Sequence, residues 1–174
     1  MSEPVYIVEE VGTVVTKVNA ALTQAGFSPL PIYYMYGHPL EIVKRLQELS
    51  NSVTEKDKKF PLIILFTDIT VDKSTSGFYG STNLRMLVAN ITQPEYISEQ
   101  RTDLNFKPVL HPIKNELIRQ ISLHPQFTFE GELTYKETDM YFYGSQINNK
   151  NIFNDYIDAI ELKDIRLNIK NKIC

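Results

Sequence analysis

The run Leu62-Ile63-Ile64-Leu65-Phe66 constrains this chain more than any other feature. Consecutive apolar, β-branched-rich residues leave no polar face. Such a run reads as a central strand buried on both sides. Phe60-Pro61 introduces it, and Leu84 to Thr92 reads as a second strong strand. No helical segment separates the two. Parallel neighbours need a crossover, usually a helix, so a purely parallel sheet is disfavoured.

Helical stripes supply partners for that sheet. Val8, Val11, Val15, Val18 and Leu22 recur at spacings of three and four, which predicts a helix over 8–24 that stops at Gly26. Ile32 to Tyr36 reads as a short edge strand. Gly37-His38-Pro39 then turns into a second helix with Pro39 at its first position. Leu40, Ile42, Val43, Leu46 and Leu49 supply its buried face, and Lys44, Arg45 and Glu48 its wet face. Leu110, Ile113, Leu117 and Ile121 predict a third helix within 108–123, starting near His111 with Pro112 at its first position.

Phe127 to Phe129 and Met140 to Tyr143 read as short strands. Ile165, Leu167 and Ile169 alternate with polar residues, as in a half-buried antiparallel strand. Ile160 and Leu162 have the opposite parity, so a bulge is expected near Lys163. The stretches 51–59, 73–82, 94–107 and 144–154 read as loops or irregular chain. The expectation is one soluble α+β domain over 1–174, with a mixed, largely antiparallel sheet against two or three helices.

Composition narrows the class. With 174 residues, 43% hydrophobic and 22% charged, the chain can bury a core without staples and is not disordered over most of its length. A net charge of -3 argues against general affinity for nucleic acid or anionic membrane. The single cysteine, Cys174, allows no intrachain disulfide and suits a reducing compartment. Met1 to Pro4 shows no secretory pattern, and the longest apolar run, Pro61 to Phe66, is too short to cross a bilayer. Ten Tyr, nine Phe and no Trp suit half-buried strand positions and contact surfaces.

A search for chemistry yields little. His38, His111 and His124 each precede a proline, and none lies three or four residues from another histidine or a cysteine. His38 and His111 read as helix N-terminal caps. The glycine-bearing loop Ser76 to Thr82 leads into a strand and lacks a Lys-Ser/Thr ending, so it does not read as a phosphate loop. No Gly-x-Ser-x-Gly elbow exists. Asp68 and Asp72 follow the central strand, where a strand-end carboxylate usually caps backbone amides. Lys56, Lys58 and Lys59 cluster beside acids, and Lys163, Arg166, Lys170 and Lys172 are spread along the last strand, so no basic stripe forms.

Asp158 with Glu161-Leu162-Lys163 is the best enzymatic candidate, with Asp139 as a better-spaced first acid. Two acids holding Mg²⁺ and a lysine assisting water would make a metal-dependent nuclease. The expectation remains a chain with no catalytic, cofactor or metal site, and a non-catalytic adaptor is a further alternative.

The element order resembles the tail-terminator and tail-completion proteins of tailed bacteriophages: a first helix, a strand introduced by Phe60-Pro61, the long strand Leu84 to Ile91, the helix Leu110 to Leu123 and a terminal alternating strand. The segments Tyr36 to Ile42, Phe106 to Leu110 and Asp158 to Leu162 are similar to neck-region proteins of crAss-like gut phages. The stretch between Phe127 and Asn154 is longer and richer in Tyr and Asn than in the small terminators. The resemblance implies a tail-terminator-like fold and a virion structural protein assembled in the host cytoplasm. It further implies self-association into a ring between portal and tail, beside other neck and tail proteins, with DNA passing through the lumen. No catalytic residues carry over. Asp72 to Thr82 and Tyr143 to Asn154 are the expected contact loops.

Overall fold

A computed structural model of the chain describes residues 6–52, 54, 58–73, 79–144 and 152–170. Strand β2 (Leu62–Phe66) is buried at every position, as its composition demands. Around it lie β1 (Tyr33–Gly37), β3 (Val71–Asp72), β4 (Tyr79–Ile91), β5 (Phe127–Thr128), β6 (Lys136–Met140) and β7 (Ile157–Lys170). The sheet order is β1-β2-β4-β7-β5, with β3 added to β4 and β6 added to β7. β1 and β2 are parallel and every other pairing is antiparallel. The architecture is a mixed, largely antiparallel α+β fold.

Alternation along β2 divides the core. Ile63 and Leu65 face helices α1 (Ile7–Gln24) and α4 (His111–Ser122), with Met86, Val88, Ile160 and Leu162 beside them. Leu62, Ile64 and Phe66 face helix α2 (Pro39–Asn51), with Leu87, Ala89, Ile157 and Phe153. Each fully buried side chain of this kind contributes roughly 1.5–3 kcal/mol. α1 ends in a Schellman motif: Gly26 takes φ +69°, its N–H donates to the Thr23 carbonyl, and the Phe27 N–H donates to the Leu22 carbonyl.

The expected bulge is present. Leu84 pairs with Ile165 and Met86 with Leu162, so Lys163 and Asp164 together oppose Arg85. Asp164 takes φ +54°, a left-handed conformation that Asp tolerates better than most residues. The extra residue resets the parity, which lets Ile160, Leu162, Ile165, Leu167 and Ile169 all reach the same core.

Four expectations need correction. Leu40 is 74% exposed rather than buried, because it precedes the face that Ile42 and Leu46 present to the sheet. Residues 79–82 belong to β4 rather than to a loop, since their partners on β3 and β7 extend the ladder. The last short strand is Lys136–Met140, not Met140 to Tyr143, which falls mostly in a turn with Phe142 at φ +52°.

The largest difference lies in the third helix. It starts at Ser98 as α3 (Ser98–Arg101), runs through a π-helical segment (Thr102–Leu110) and continues as α4. Pro108 inside the segment lacks an N–H and would clash in a tight α turn. The wider π turn accommodates it, and the His111 N–H donates to the Phe106 carbonyl, five residues back. His111 is therefore a mid-helix residue and caps nothing. His38 does cap: its Nδ1 accepts from the Leu40 N–H at 3.3 Å.

Candidate functional site

β7 carries charged chemistry on both faces, because alternation sends Asp158 and Glu161 to opposite sides of the sheet. Asp158 is fully buried under the π-helical segment. Its Oδ1 accepts from Arg101 Nη1 at 2.8 Å and from the Phe142 N–H at 3.1 Å, and its Oδ2 accepts from Asn105 Nδ2 at 3.0 Å. Arg101 also donates to Thr92 Oγ1, the Gln93 carbonyl and the Tyr96 carbonyl, and its guanidinium lies over the Phe142 ring. Buried charges survive only when paired and hydrogen-bonded in this way. Every polar atom of this pair has a partner, and together they tie the helix to β7, to the segment after β4 and to the turn after β6.

Glu161 emerges on the α2 side and is almost wholly buried. Arg85 approaches its Oε1 through Nε at 2.7 Å and Nη2 at 2.6 Å, and Lys163 Nζ lies 2.9 Å from its Oε2. The Arg85 guanidinium stacks 4.6 Å from the centroid of the Phe66 ring. Burial pushes the nearby Tyr143 hydroxyl up from its ordinary value; Arg85 pulls it down and Glu161 adds to the rise. Both Glu161 oxygens thus face cations. Asp139 pairs across from Ile160, and Thr138 sits opposite Glu161. The fold therefore does not bring Asp139 or Asp158 to Glu161 and Lys163, the convergence that a two-acid metal site with an assisting lysine requires.

The fold does assemble a different group. Glu137 and Asp139, two apart on β6, share the face that looks onto the first turn of α4. His111 Nε2 lies 3.3 Å from Asp139 Oδ2, and His111 Nδ1 lies 3.5 Å from Glu137 Oε1. Lys114, one turn further along α4 and nearly buried, places Nζ 3.0 Å from Glu137 Oε2. One ligand atom from each of His111, Glu137 and Asp139 lies within 4.8 Å of the others, and solvent reaches all three. Sequence reasoning missed this group, because it takes its histidine from a helix and its carboxylates from a strand. The Glu137-x-Asp139 alternation was the available signal.

The remaining expected residues are dispersed. Asp68 is exposed after β2. Asp72 lines a polar cleft of about 540 Å³ at the far end of β4 and β7, together with Ser81, Asn83, Arg166 and Asn168. His124 is buried with Nε2 3.3 Å from Glu10, which joins α4 to α1. Lys59 is also buried, and Ser50 and Asp155 share its ammonium. A second, apolar cavity of about 350 Å³ lies between Leu40, Val43, Phe66, Met140 and Phe153. Cys174, Lys56, Lys172 and the loop positions 74–78 and 145–151 lie outside the described residues.

The edges of the sheet are also surfaces. Among the described residues, β1 has a strand neighbour on one side, while β5 and β6 close the opposite end. The Tyr33 N–H donates to Pro61 and the Gly37 carbonyl accepts from Thr67, so the backbone groups of Tyr34 and Tyr36 point away from β2. Tyr36 is 47% exposed on that edge. Among the described residues, no helix is long and apolar enough to cross a membrane. Compared with models of known families and with curated proteins, the chain matches none.

Proposed function

We propose that the chain is a structural subunit of a virion neck, associating head to tail into a ring between portal and tail. The observation that carries this reading is a sheet that, among the described residues, ends in two unlike edges, tyrosine-bearing β1 at one end and polar β6 at the other. An unpaired edge offers a row of backbone donors and acceptors to another strand. Two different edges on one subunit favour a heterologous contact, and a heterologous contact closes into a ring when its rotation permits. Tyrosine suits such a contact, since its ring buries area and its hydroxyl keeps a partner. The element order that resembles tail-completion proteins points the same way. The net charge of -3 suits a lumen that lets DNA pass without gripping it.

Electron microscopy of the full chain, alone and with a portal ring, tests the reading. Closed rings, or an added layer on the portal, are expected. A protein that stays monomeric at high concentration and joins neither portal nor tail contradicts it.

A further inference from the structure

We infer that His111, Glu137 and Asp139 form a binding site for a zinc-class divalent ion. One imidazole nitrogen and two carboxylate oxygens make a borderline donor set that suits Zn²⁺ or Co²⁺ better than Mg²⁺. Zinc–ligand distances of about 2.0–2.2 Å put ligand atoms roughly 3.5 Å apart in a tetrahedral site. The present spread of at most 4.8 Å exceeds that by little more than an ångström.

Three features favour an ion over a self-sufficient ion-pair triad. The imidazole meets Asp139 through Nε2 in a long hydrogen bond of 3.3 Å and Glu137 through Nδ1 at 3.5 Å; both exceed the roughly 2.7–2.9 Å of a charge-assisted hydrogen bond, so the triad closes only loosely. Lys114 engages Glu137 Oε2 and leaves Oε1 turned toward His111, as an outer partner orients a metal-binding carboxylate. Its single positive charge also leaves the two carboxylates one negative charge in excess when the imidazole is neutral.

The site has a mechanical consequence. The first four residues of β6 are polar and exposed, and Met140 alone is half-buried. Charged groups therefore make the strand's link to α4, and an ion would clamp the edge strand to the helix. Three protein ligands on an accessible surface leave a coordination position open for water or for a donor from a neighbouring molecule.

Titration of the metal-free full chain with Co²⁺, followed by visible absorption, tests the inference. One Co²⁺ per chain is expected to give d–d bands that Zn²⁺ abolishes and Mg²⁺ does not, and Zn²⁺ should raise Tm. His111→Ala and Asp139→Asn should each weaken Zn²⁺ binding by at least the roughly 10–100-fold that loss of an outer partner costs. Asp139→Asn is isosteric at an exposed position, so circular dichroism should report an unchanged fold. His38→Ala should bind as the parent does. Absence of a Co²⁺ signal at millimolar concentration, or equal affinity in the parent and Asp139→Asn, overturns the assignment.

Discussion

The helix from Ser98 to Ser122 docks on β6 and β7 at two places that use charge in opposite ways. Near its start, Arg101 and Asp158 are out of contact with water, and with Thr92, Gln93, Tyr96, Asn105 and Phe142 every side-chain polar atom of the pair has a partner. One turn past Pro108, His111 faces Glu137 and Asp139 across longer gaps, open to solvent. The first arrangement is closed to water, with a partner on each polar atom, and holds position. The second retains unused donor capacity and can take a ligand. Buried charge in a fold is therefore not itself a sign of chemistry; what separates the two is whether every polar atom is already buried with a partner.

Substitutions at the two contacts of this helix break the comparison at different depths. Asp158→Ala leaves the Arg101 guanidinium buried without its partner. It should cost about 3–5 kcal/mol in urea denaturation, whereas Arg101→Met with Asp158→Leu should lose much less, because no orphan charge remains. If Asp158→Ala costs less than about 1 kcal/mol, the closed network is not what fixes the helix. At the open end, Glu137→Gln weakens the partner of nearly buried Lys114. A loss of about 1–2 kcal/mol without added metal is expected by the same measurement. An equal cost at the two ends would erase the distinction between them.

The smallest effect belongs to the outward side of α4. The Arg119 hydrogen bond holds the Glu116 carboxyl below its ordinary value, burial opposes this, and Gln120 adds to the lowering. Folding thus favours the charged carboxylate. The contribution is present above the ordinary glutamate pKa and is lost as pH falls through the depressed folded-state value. Solvent screening limits it to about 0.3–0.5 kcal/mol. Glu116→Gln should be slightly less stable than the parent at neutral pH and equal to it in acid. A difference that persists in acid would mean that packing, not charge, is responsible.

Much of the frame was legible in the sequence. β2 announced its burial through five apolar residues, Gly26 marked the end of α1, and the parity change around Lys163 located the bulge. The misreadings share a cause: local signals that tertiary contacts override. Pro112 suggested a late helix start, but the helix reaches back to Ser98 because a π-helical segment accommodates Pro108 ahead of it. β6 lacks an apolar face because it lies at an edge with four exposed residues, so KETDM gave no strand signal and the strand was expected at Met140 to Tyr143 instead. His111 looked like a cap because its role depends on a strand more than twenty residues away. Asp158, Glu161 and Lys163 looked like a site because spacing along the chain does not show which face each residue takes in the sheet.

The central claim is that two unlike sheet edges meet head to tail. Sedimentation velocity over a range of concentrations tests it most directly, with Tyr36→Pro beside the parent. Proline at Tyr36 removes an outward N–H from β1 while leaving the bonds to β2 in place. The account predicts one discrete oligomer larger than a dimer for the parent, and a monomer for Tyr36→Pro with an unchanged circular dichroism spectrum. A parent that is monomeric throughout, or that stops at a symmetric dimer, would contradict it.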